Sequence, residues 1–497
     1  MRPGFSLARQ RLQFRVIVTS PAFVRSVEVN EKSVDVAILG AGSAGLYALG
    51  KVRPSGKRFV LINGGEPGTT CARVGCMPSK AIIQVAEDYH RRGILGRYGV
   101  AGHDELELDT GEAMEHVRNL RDTFVDRVLS NSTDNMSEEL FIEGYARFVD
   151  PHTLEVNGQR IRAEKIIIAT GTRPLIPGPW KAFGDRILTT DGIFELERLP
   201  ASIGVIGLGV IGLEIGQSLA RLGVEVTGFD MLDTIGGLED PDVAKLAIET
   251  IGRDFPLHLG NPAEISEENG KLRLSAGGNS VLVDNVLASL GRIPNLDNMA
   301  IENAGIELGP GGIPAFNPNT MQVGESHIFL AGDITGERAL LHEAGDEGRI
   351  AGHNASHDSI SAFKRKVPLS INFCDPNICH VGVRWSELDP DSTAVGSVSF
   401  APVGRALIMG KNRGILKLYA DKRSGRLLGS EMACPKGENL AHLLAWSIQQ
   451  ELTVGRMLQM PFYHPVIEEA LQAALYDCYA KVESKNGGGI AELVALK

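Results

Sequence analysis

From Val34 to Leu39 the chain is apolar apart from Asp35, and the run stops at Gly40. A short apolar run closed by glycine predicts a buried parallel strand. The turn Gly40-Ala41-Gly42-Ser43-Ala44-Gly45 and a helix follow, then a second strand over Arg58 to Ile62. Residues 79–95 and 112–129 repeat apolar positions at helical spacing, and 141–170 read as several short strands ending in Ile166-Ile167-Ile168-Ala169. The strand, glycine turn, helix and strand then recur as Ser202 to Ile206, a second glycine-rich turn, 212–222 and Val224 to Phe229. These two units stand about 167 residues apart, and their pattern predicts doubly wound α/β folding twice over. A third block opens near Pro368, with strand-like segments at 394–409, 414–420 and 426–433 and helices at 437–450 and 465–482. Strands followed by helices predict an α+β domain. Lys485 to Gly489 is glycine-rich and predicts a flexible tail.

Composition bounds this picture. The 497 residues suggest about three domains at ~150 residues each. With 50 Lys+Arg against 61 Asp+Glu the net charge is −11, which argues against a broad nucleic-acid or anionic-membrane surface. No uncharged apolar run reaches the ~18 residues of a membrane span. The 58 glycines exceed the usual ~7% and point to tight turns and close backbone approaches. Six cysteines are too few for a disulfide-scaffolded secreted protein, so a cytoplasmic location is expected.

The first 33 residues carry Arg2, Arg9, Arg11, Arg15 and Arg25 before the first acid, Glu28. An Arg-rich, acid-free start is similar to a mitochondrial transit peptide. Pro3 and Pro21 break its helical pattern, however, and favour a misassigned upstream start with the chain proper beginning near Val27 or Val29.

Each glycine motif follows a strand and opens a helix, the context that gives it meaning. In the first, Gly40 permits the tight turn, Gly42 lets the backbone approach a pyrophosphate, and Gly45 completes the pattern. The helix N-terminus favours the negative charge. Asn63 stands where a carboxylate usually grips ribose hydroxyls, and its amide can still donate and accept. The second motif places Gly207, Gly209 and Gly212 alike, and its second strand ends in Asp230. That carboxylate suits a ribose 2′-hydroxyl and repels a 2′-phosphate. No arginine lies between Arg221 and Arg253, so NAD(H) is expected over NADP(H). Two dinucleotide sites in one chain imply that two dinucleotides exchange electrons.

Cys71-Ala72-Arg73-Val74-Gly75-Cys76-Met77-Pro78-Ser79-Lys80 adds the reactive groups. The cysteines precede a helix and are close enough to bridge. A thiolate near a helix N-terminus is stabilised, which suits a redox pair. Spacing alone also admits two buried structural cysteines, an inert bridge, or a metal site, although no further ligands lie in sequence range.

With these motifs in place, residues 68–80 resemble the FAD-dependent pyridine nucleotide–disulfide oxidoreductases, and among them the dihydrolipoyl dehydrogenases. Further matches are Ala169-Thr170-Gly171-Thr172-Arg173-Pro174, Gly291-Arg292-Ile293-Pro294-Asn295, Ala331-Gly332-Asp333 and His464-Pro465. The resemblance runs from about Val34 to about Lys481. It implies an α/β protein with two doubly wound dinucleotide-binding domains, for FAD and NAD, plus a C-terminal α+β dimerisation domain. The expected division is an extension at 1–33, FAD-binding segments at 34–190 and 291–366, an NAD-binding domain at 191–290 and a dimerisation domain at 367–497.

By the same resemblance Cys71 is the interchange thiol and Cys76 the thiol against the flavin. Lys80 lies near flavin N5, with Glu214 as its ion-pair partner. Asp333 binds the ribityl chain. The FAD set comprises Gly40, Gly42, Gly45, Asn63, Thr70, Lys80, Gly171 and Asp333; the NAD set comprises Gly207, Gly209, Gly212, Asp230 and Gly291. His464 is the base, oriented by Glu469, and acts on Cys71 of the other subunit of a homodimer. The implied substrate is a small or lipoyl-domain dithiol, which brings in a 2-oxo acid dehydrogenase complex as a possible partner. No metal is implied.

Several positions depart from the family pattern. Thr69-Thr70 replaces the familiar Gly-Thr, and Ala72-Arg73 the common Leu-Asn or Val-Asn. Arg73 puts a positive charge beside the redox pair. Cys374 and Cys379 repeat the spacing before His380 and are read as structural interface residues. Cys434 and Cys478 are read as buried and inert.

Overall fold

Glu31–Leu39 is the central strand of the first sheet, flanked in parallel by Phe59–Asn63 and Gln159–Ile168. These coordinates are a computed structural model describing residues 31–485, 490 and 492–494. Residues 1–30, and 486–489 of the glycine-rich tail, lie outside the described residues. Phe141–Glu143 extends one edge, and Thr153–Val156 and Arg147–Asp150 continue the other as an antiparallel turn-back. Ile328–Leu330 returns much later in sequence to pair in parallel with Ile166–Ile168. Leu39, Ile168 and Leu330 therefore finish in register. The residues just beyond them, Gly40, Thr170 and Asp333, gather at one edge, where a doubly wound sheet binds ligands.

The second sheet repeats the plan. Its five parallel strands run in the order Leu257–His258, Glu225–Phe229, Ser202–Ile206, Asn285–Ala288 and Ile187–Leu188. It thus takes in Ile187–Leu188, ahead of position 191. An antiparallel flap of Glu264–Glu268, Lys271–Ala276 and Asn279–Val283 packs Leu272 and Leu274 beneath it. A two-stranded ribbon, Thr172–Pro174 with Arg292–Pro294, pairs the two crossings between the units.

The third unit is a five-stranded antiparallel sheet in the order Leu369–Asn372, Asn377–Gly382, Leu427–Cys434, Ile415–Asp421 and Thr393–Ser399. Helices Gly437–Gln449 and Glu468–Lys481 pack on it through Leu440, Leu444, Leu471 and Leu475. The strand-like segment 394–409 divides here. Its first part is the strand Thr393–Ser399, but Gly404–Met409 is a short helix that buries Ala406 and stops at left-handed Gly410. Pro402 has no N–H to offer a ladder, which ends the strand ahead of it.

Charged side chains bind the third unit to the second. Lys417, almost wholly buried, reaches Asp240 Oδ1 at 2.9 Å and Asp242 Oδ2 at 2.6 Å, while the Tyr419 hydroxyl donates to Asp240 Oδ2 at 3.0 Å. Asp240 also caps helix Pro241–Ile251, so one carboxylate starts a helix and anchors a domain. Among the described residues no helix is long and apolar enough to cross a membrane.

Candidate active site

The two glycine motifs fold alike, position by position. Gly40 and Gly207 adopt φ of +107° and +93°, conformations that L side chains rarely adopt. A Cβ on Gly45 would sit 1.8 Å from Gly40 O, and one on Gly212 would sit 1.9 Å from Gly207 O. These glycines let helix and strand touch. Gly42 and Gly209 differ: a Cβ at either would meet nothing within 4 Å. Both are N-caps of their helices, Ser43–Val52 and Val210–Arg221, and neither has a side chain to satisfy the exposed N–H groups. An open backbone cradle at a positive helix end fits a pyrophosphate in each place.

Asn63 and Asp230 are also equivalent. Ala41 N donates to Asn63 Oδ1 at 2.9 Å, and Leu208 N donates to Asp230 Oδ2 at 2.6 Å. Each side chain therefore ties the glycine turn to the end of the neighbouring strand. Asp230 also accepts from Leu232 N at 2.9 Å. Substitution of Gly209 by Val tests the cradle. We expect folding and FAD content to hold while affinity for a nicotinamide dinucleotide, followed by fluorescence titration, falls at least about tenfold, because the added methyls would fill the open cradle at Gly209.

The cysteine segment forms two helices rather than one. Thr70–Arg73 is a single turn capped by Thr69, whose hydroxyl accepts from Ala72 N at 3.2 Å. Val74 and Gly75 break the path, and Cys76 opens the long helix Cys76–His90. Both thiols are free, and each acts on the other's ionisation more strongly than any other group does. The Cys71 thiol, the charge of Lys80 and the backbone N–H of Cys76 hold the exposed Cys76 thiol down to about 7 against partial desolvation. The Cys76 thiol, together with desolvation, pushes the half-buried Cys71 up. The pair is thus asymmetric: the thiolate is favoured at Cys76 and disfavoured at Cys71. Lys80, one turn along the helix, is the cation that acts on both; half-buried Arg73 is not among the main influences on either thiol.

Lys80 is itself fixed from another domain. Its Nζ lies 2.9 and 2.7 Å from the two carboxylate oxygens of Glu214, 134 residues away on helix Val210–Arg221. Ser79 Oγ donates to Glu214 Oε2 at 2.8 Å and Phe373 N donates to Oε1 at 2.9 Å. Glu214 is only 3% exposed. A carboxylate this deep is tolerable because every oxygen has a charged or N–H/O–H partner, and removing the lysine would cost about 3–5 kcal/mol. Ser79, Phe373 and the polar partners behind them could not be picked out from the sequence, since nothing in periodicity or spacing brings 79, 214 and 373 together.

Asp333 follows left-handed Gly332 and turns toward the same edge. Its half-buried carboxylate accepts a long hydrogen bond from Thr172 Oγ1 at 3.4 Å, and desolvation pushes its pKa up. A half-buried acceptor with spare capacity fits a hydroxylated chain. Gly332 N is held in turn by buried Glu347 Oε2 at 2.8 Å. Gly171 and Gly291 flank the interdomain ribbon at its opposite ends, where Asn295 N donates to Gly171 O at 3.0 Å and Leu175 N donates to Gly291 O at 3.0 Å. Thr70 is the first residue of the one-turn helix.

His464 stands on the third unit, its side chain 81% exposed, with Nδ1 2.8 Å from Glu469 Oε1. Val466 N donates to Glu469 Oε2 at 3.1 Å, so the carboxylate is held while it orients the ring. The histidine bond holds the Glu469 carboxyl below its ordinary range. Cys374, Cys379, Cys434 and Cys478 are all buried, and burial pushes each thiol up. Among the described residues no group of three or more His, Cys, Asp or Glu side chains is placed to hold a metal ion.

This site belongs to a recognised class. Residues 34–348 match the pyridine nucleotide-disulphide oxidoreductase family and residues 369–475 match that family's dimerisation domain. The chain belongs to this family, whose members bind FAD and use NAD(P). It is 28% identical to dihydrolipoyl dehydrogenase 3 of Haloarcula marismortui, over 90% of this chain and 97% of that protein. It is 29% identical to dihydrolipoyl dehydrogenase of Bacillus subtilis, over 88% of this chain and 97% of that one. A mercuric reductase of Staphylococcus aureus is 28% identical over 86% of this chain and 80% of its own length. In fold, the chain is similar to the HOCl-induced flavoprotein disulfide reductase RclA from Escherichia coli, with a TM-score of 0.77, 24% identity, and coverage of 90% of this chain and 100% of that one.

Proposed function

We propose that the protein is a homodimeric dihydrolipoyl dehydrogenase, oxidising dihydrolipoamide and reducing NAD+ through Cys71 and Cys76. The observation that carries this reading is the placement of Cys71 and Cys76 at the head of helix Cys76–His90, with Lys80 held by Glu214 one turn along it. In the oxidised enzyme the two sulfurs share a disulfide. A substrate thiolate attacks Cys71 Sγ; the S–S bond breaks and Cys76 leaves as a thiolate. The second substrate thiol then attacks the mixed disulfide, closing the substrate's ring and releasing Cys71. His464, held by Glu469, removes the proton from each attacking thiol and serves the Cys71 of the opposite subunit. Bound FAD supplies a two-electron relay between the thiols and the nicotinamide. Across the cycle one dithiol and one NAD+ become one disulfide, one NADH and one proton.

Each chain group has a task. Gly40, Gly42 and Gly45 with Asn63, Thr70, Gly171 and Asp333 hold FAD, while Lys80 and Glu214 fix the charge beside Cys76. Gly207, Gly209, Gly212, Asp230 and Gly291 hold the nicotinamide dinucleotide, and the Asp230 carboxylate favours NAD(H). A cytoplasmic location and a 2-oxo acid dehydrogenase complex as partner accord with this activity. Arg73 favours a second reading, reduction of an anionic low-molecular-weight disulfide, because it sets a half-buried cation between the cysteines.

Anaerobic assays of the FAD-loaded protein with dihydrolipoamide and NAD+, against glutathione disulfide and NAD(P)H, separate the two. We expect dihydrolipoamide to turn over with kcat/KM of about 10⁴ M⁻¹s⁻¹ or higher and NAD+ to be preferred. Faster turnover of an anionic disulfide would replace the first reading with the second.

A further inference from the structure

The segment between strands Leu369–Asn372 and Asn377–Gly382 reaches out of the third unit and into the joint between the other two. Phe373 at its start touches both halves of the Lys80–Glu214 pair. Its backbone N–H donates to Glu214 Oε1 at 2.9 Å, and its ring centroid lies 4.6 Å from Lys80 Nζ. An ammonium at that distance over an aromatic face is attracted by the ring quadrupole.

The segment is not free to wander. Gln217, one turn beyond Glu214 on helix Val210–Arg221, makes two bonds to the Asp375 backbone. Asp375 N donates to Gln217 Oε1 at 2.7 Å, and Gln217 Nε2 donates to Asp375 O at 2.8 Å. Arg221, a turn further, reaches Asp375 Oδ2 at 3.2 Å and Asp254 Oδ2 at 3.0 Å. Glu214, Gln217 and Arg221 thus present one helical face to residues 373–375, Glu214 holding Phe373 and the other two Asp375.

We infer that Phe373 is a positioning residue for the redox centre: it acts through Lys80, holding that ammonium against Glu214 so that its charge stays beside Cys76. The Gln217 clamp fixes the segment from which the ring projects. The dimerisation unit therefore sets the chemistry of thiols that lie two domains away in sequence. This rests on the reading of Cys76 as the charged thiol of a redox pair. The groups acting on Cys76 are Cys71, Lys80 and Glu214. Across the same joint lie Glu87, His90, Lys411, Arg221, Asp254 and Asp375, of which Lys411 pairs with both Glu87 and Asp375.

The test is the pH dependence of Cys76 alkylation by iodoacetamide in the reduced, FAD-loaded dimer, read by mass spectrometry of the peptide. The wild-type midpoint is expected near 7. Phe373→Leu keeps the backbone N–H and most of the volume but removes the aromatic face. Its midpoint should rise by about half a unit, because a loosened Lys80 stabilises the thiolate less. Phe373→Tyr retains the face and should restore the wild-type midpoint, which a merely space-filling role would not require. Should the leucine variant fail to fold, Gln217→Met, which frees the Asp375 backbone, should shift the midpoint the same way. An unchanged midpoint in the folded leucine variant, or in Gln217→Met in its place, overturns the inference, as does a tyrosine variant shifted like leucine. A wild-type Cys76 with no ionisation near neutral pH overturns instead the reading on which the inference stands.

Discussion

Cys71→Ser is expected to lower kcat/KM for the proposed dithiol-dependent NAD+ reduction by at least about 10³-fold, as loss of a nucleophile does in covalent catalysis. A hydroxyl neither forms a disulfide nor ionises near neutral pH, so the first exchange has no acceptor. Cys76→Ser fails equally, because no thiolate can then leave. The loss is specific to thiol chemistry. Transfer from NADH to an artificial dye needs only the two dinucleotide sites, and it persists in both variants within a few-fold. Parallel assays of the two activities check this. Equal loss of both would mean that the serine had damaged the flavin site rather than the exchange.

His464→Gln has the next largest effect. The ring is open to solvent and bonded at Nδ1 to Glu469, which leaves Nε2 free to meet a substrate proton. Loss of a positioned base costs about 10²–10⁴-fold in kcat. The deficit should shrink as pH rises, because an attacking thiol that ionises unaided no longer needs the base. Glu469→Gln should cost less, since it weakens the orientation of the ring but leaves the imidazole in place. Steady-state rates across pH distinguish the two. A His464→Gln deficit that is constant with pH would point to a packing role.

The parts of this arrangement that were legible in the sequence are those in which backbone geometry dictates residue type. Gly45 and Gly212 are compulsory because a Cβ would strike Gly40 O or Gly207 O, so both turns announce themselves as glycine patterns. The parallel strands are legible because burial on both faces makes them continuous apolar runs, and Ser202–Ile206 has the limits its pattern predicts. The flap Glu264–Val283 was not legible: its strands alternate polar and apolar residues within an otherwise charged stretch, and antiparallel pairing in the middle of a doubly wound unit has no local signal. The helix Gly404–Met409 was hidden because Leu407 and Ile408 are exposed, so its apolar positions follow no buried face. Ser79, Phe373 and Gln217 were hidden for a different reason. Their importance lies in contacts across three domains, and each alone is an ordinary residue of a helix or a connection. Lys80 and Glu214 were found only through resemblance.

The account rests on a bond made and broken between Cys71 and Cys76. Its most direct measurement is peptide mapping of the FAD-loaded protein, air-oxidised and then reduced anaerobically with NADH, with free thiols blocked before digestion. The account predicts that the oxidised sample yields Cys71 and Cys76 unblocked and joined to each other, and that after NADH both carry the blocking group while Cys374, Cys379, Cys434 and Cys478 are unaltered between the two samples. Blocked Cys71 and Cys76 in an oxidised sample that still turns over dithiol would contradict it.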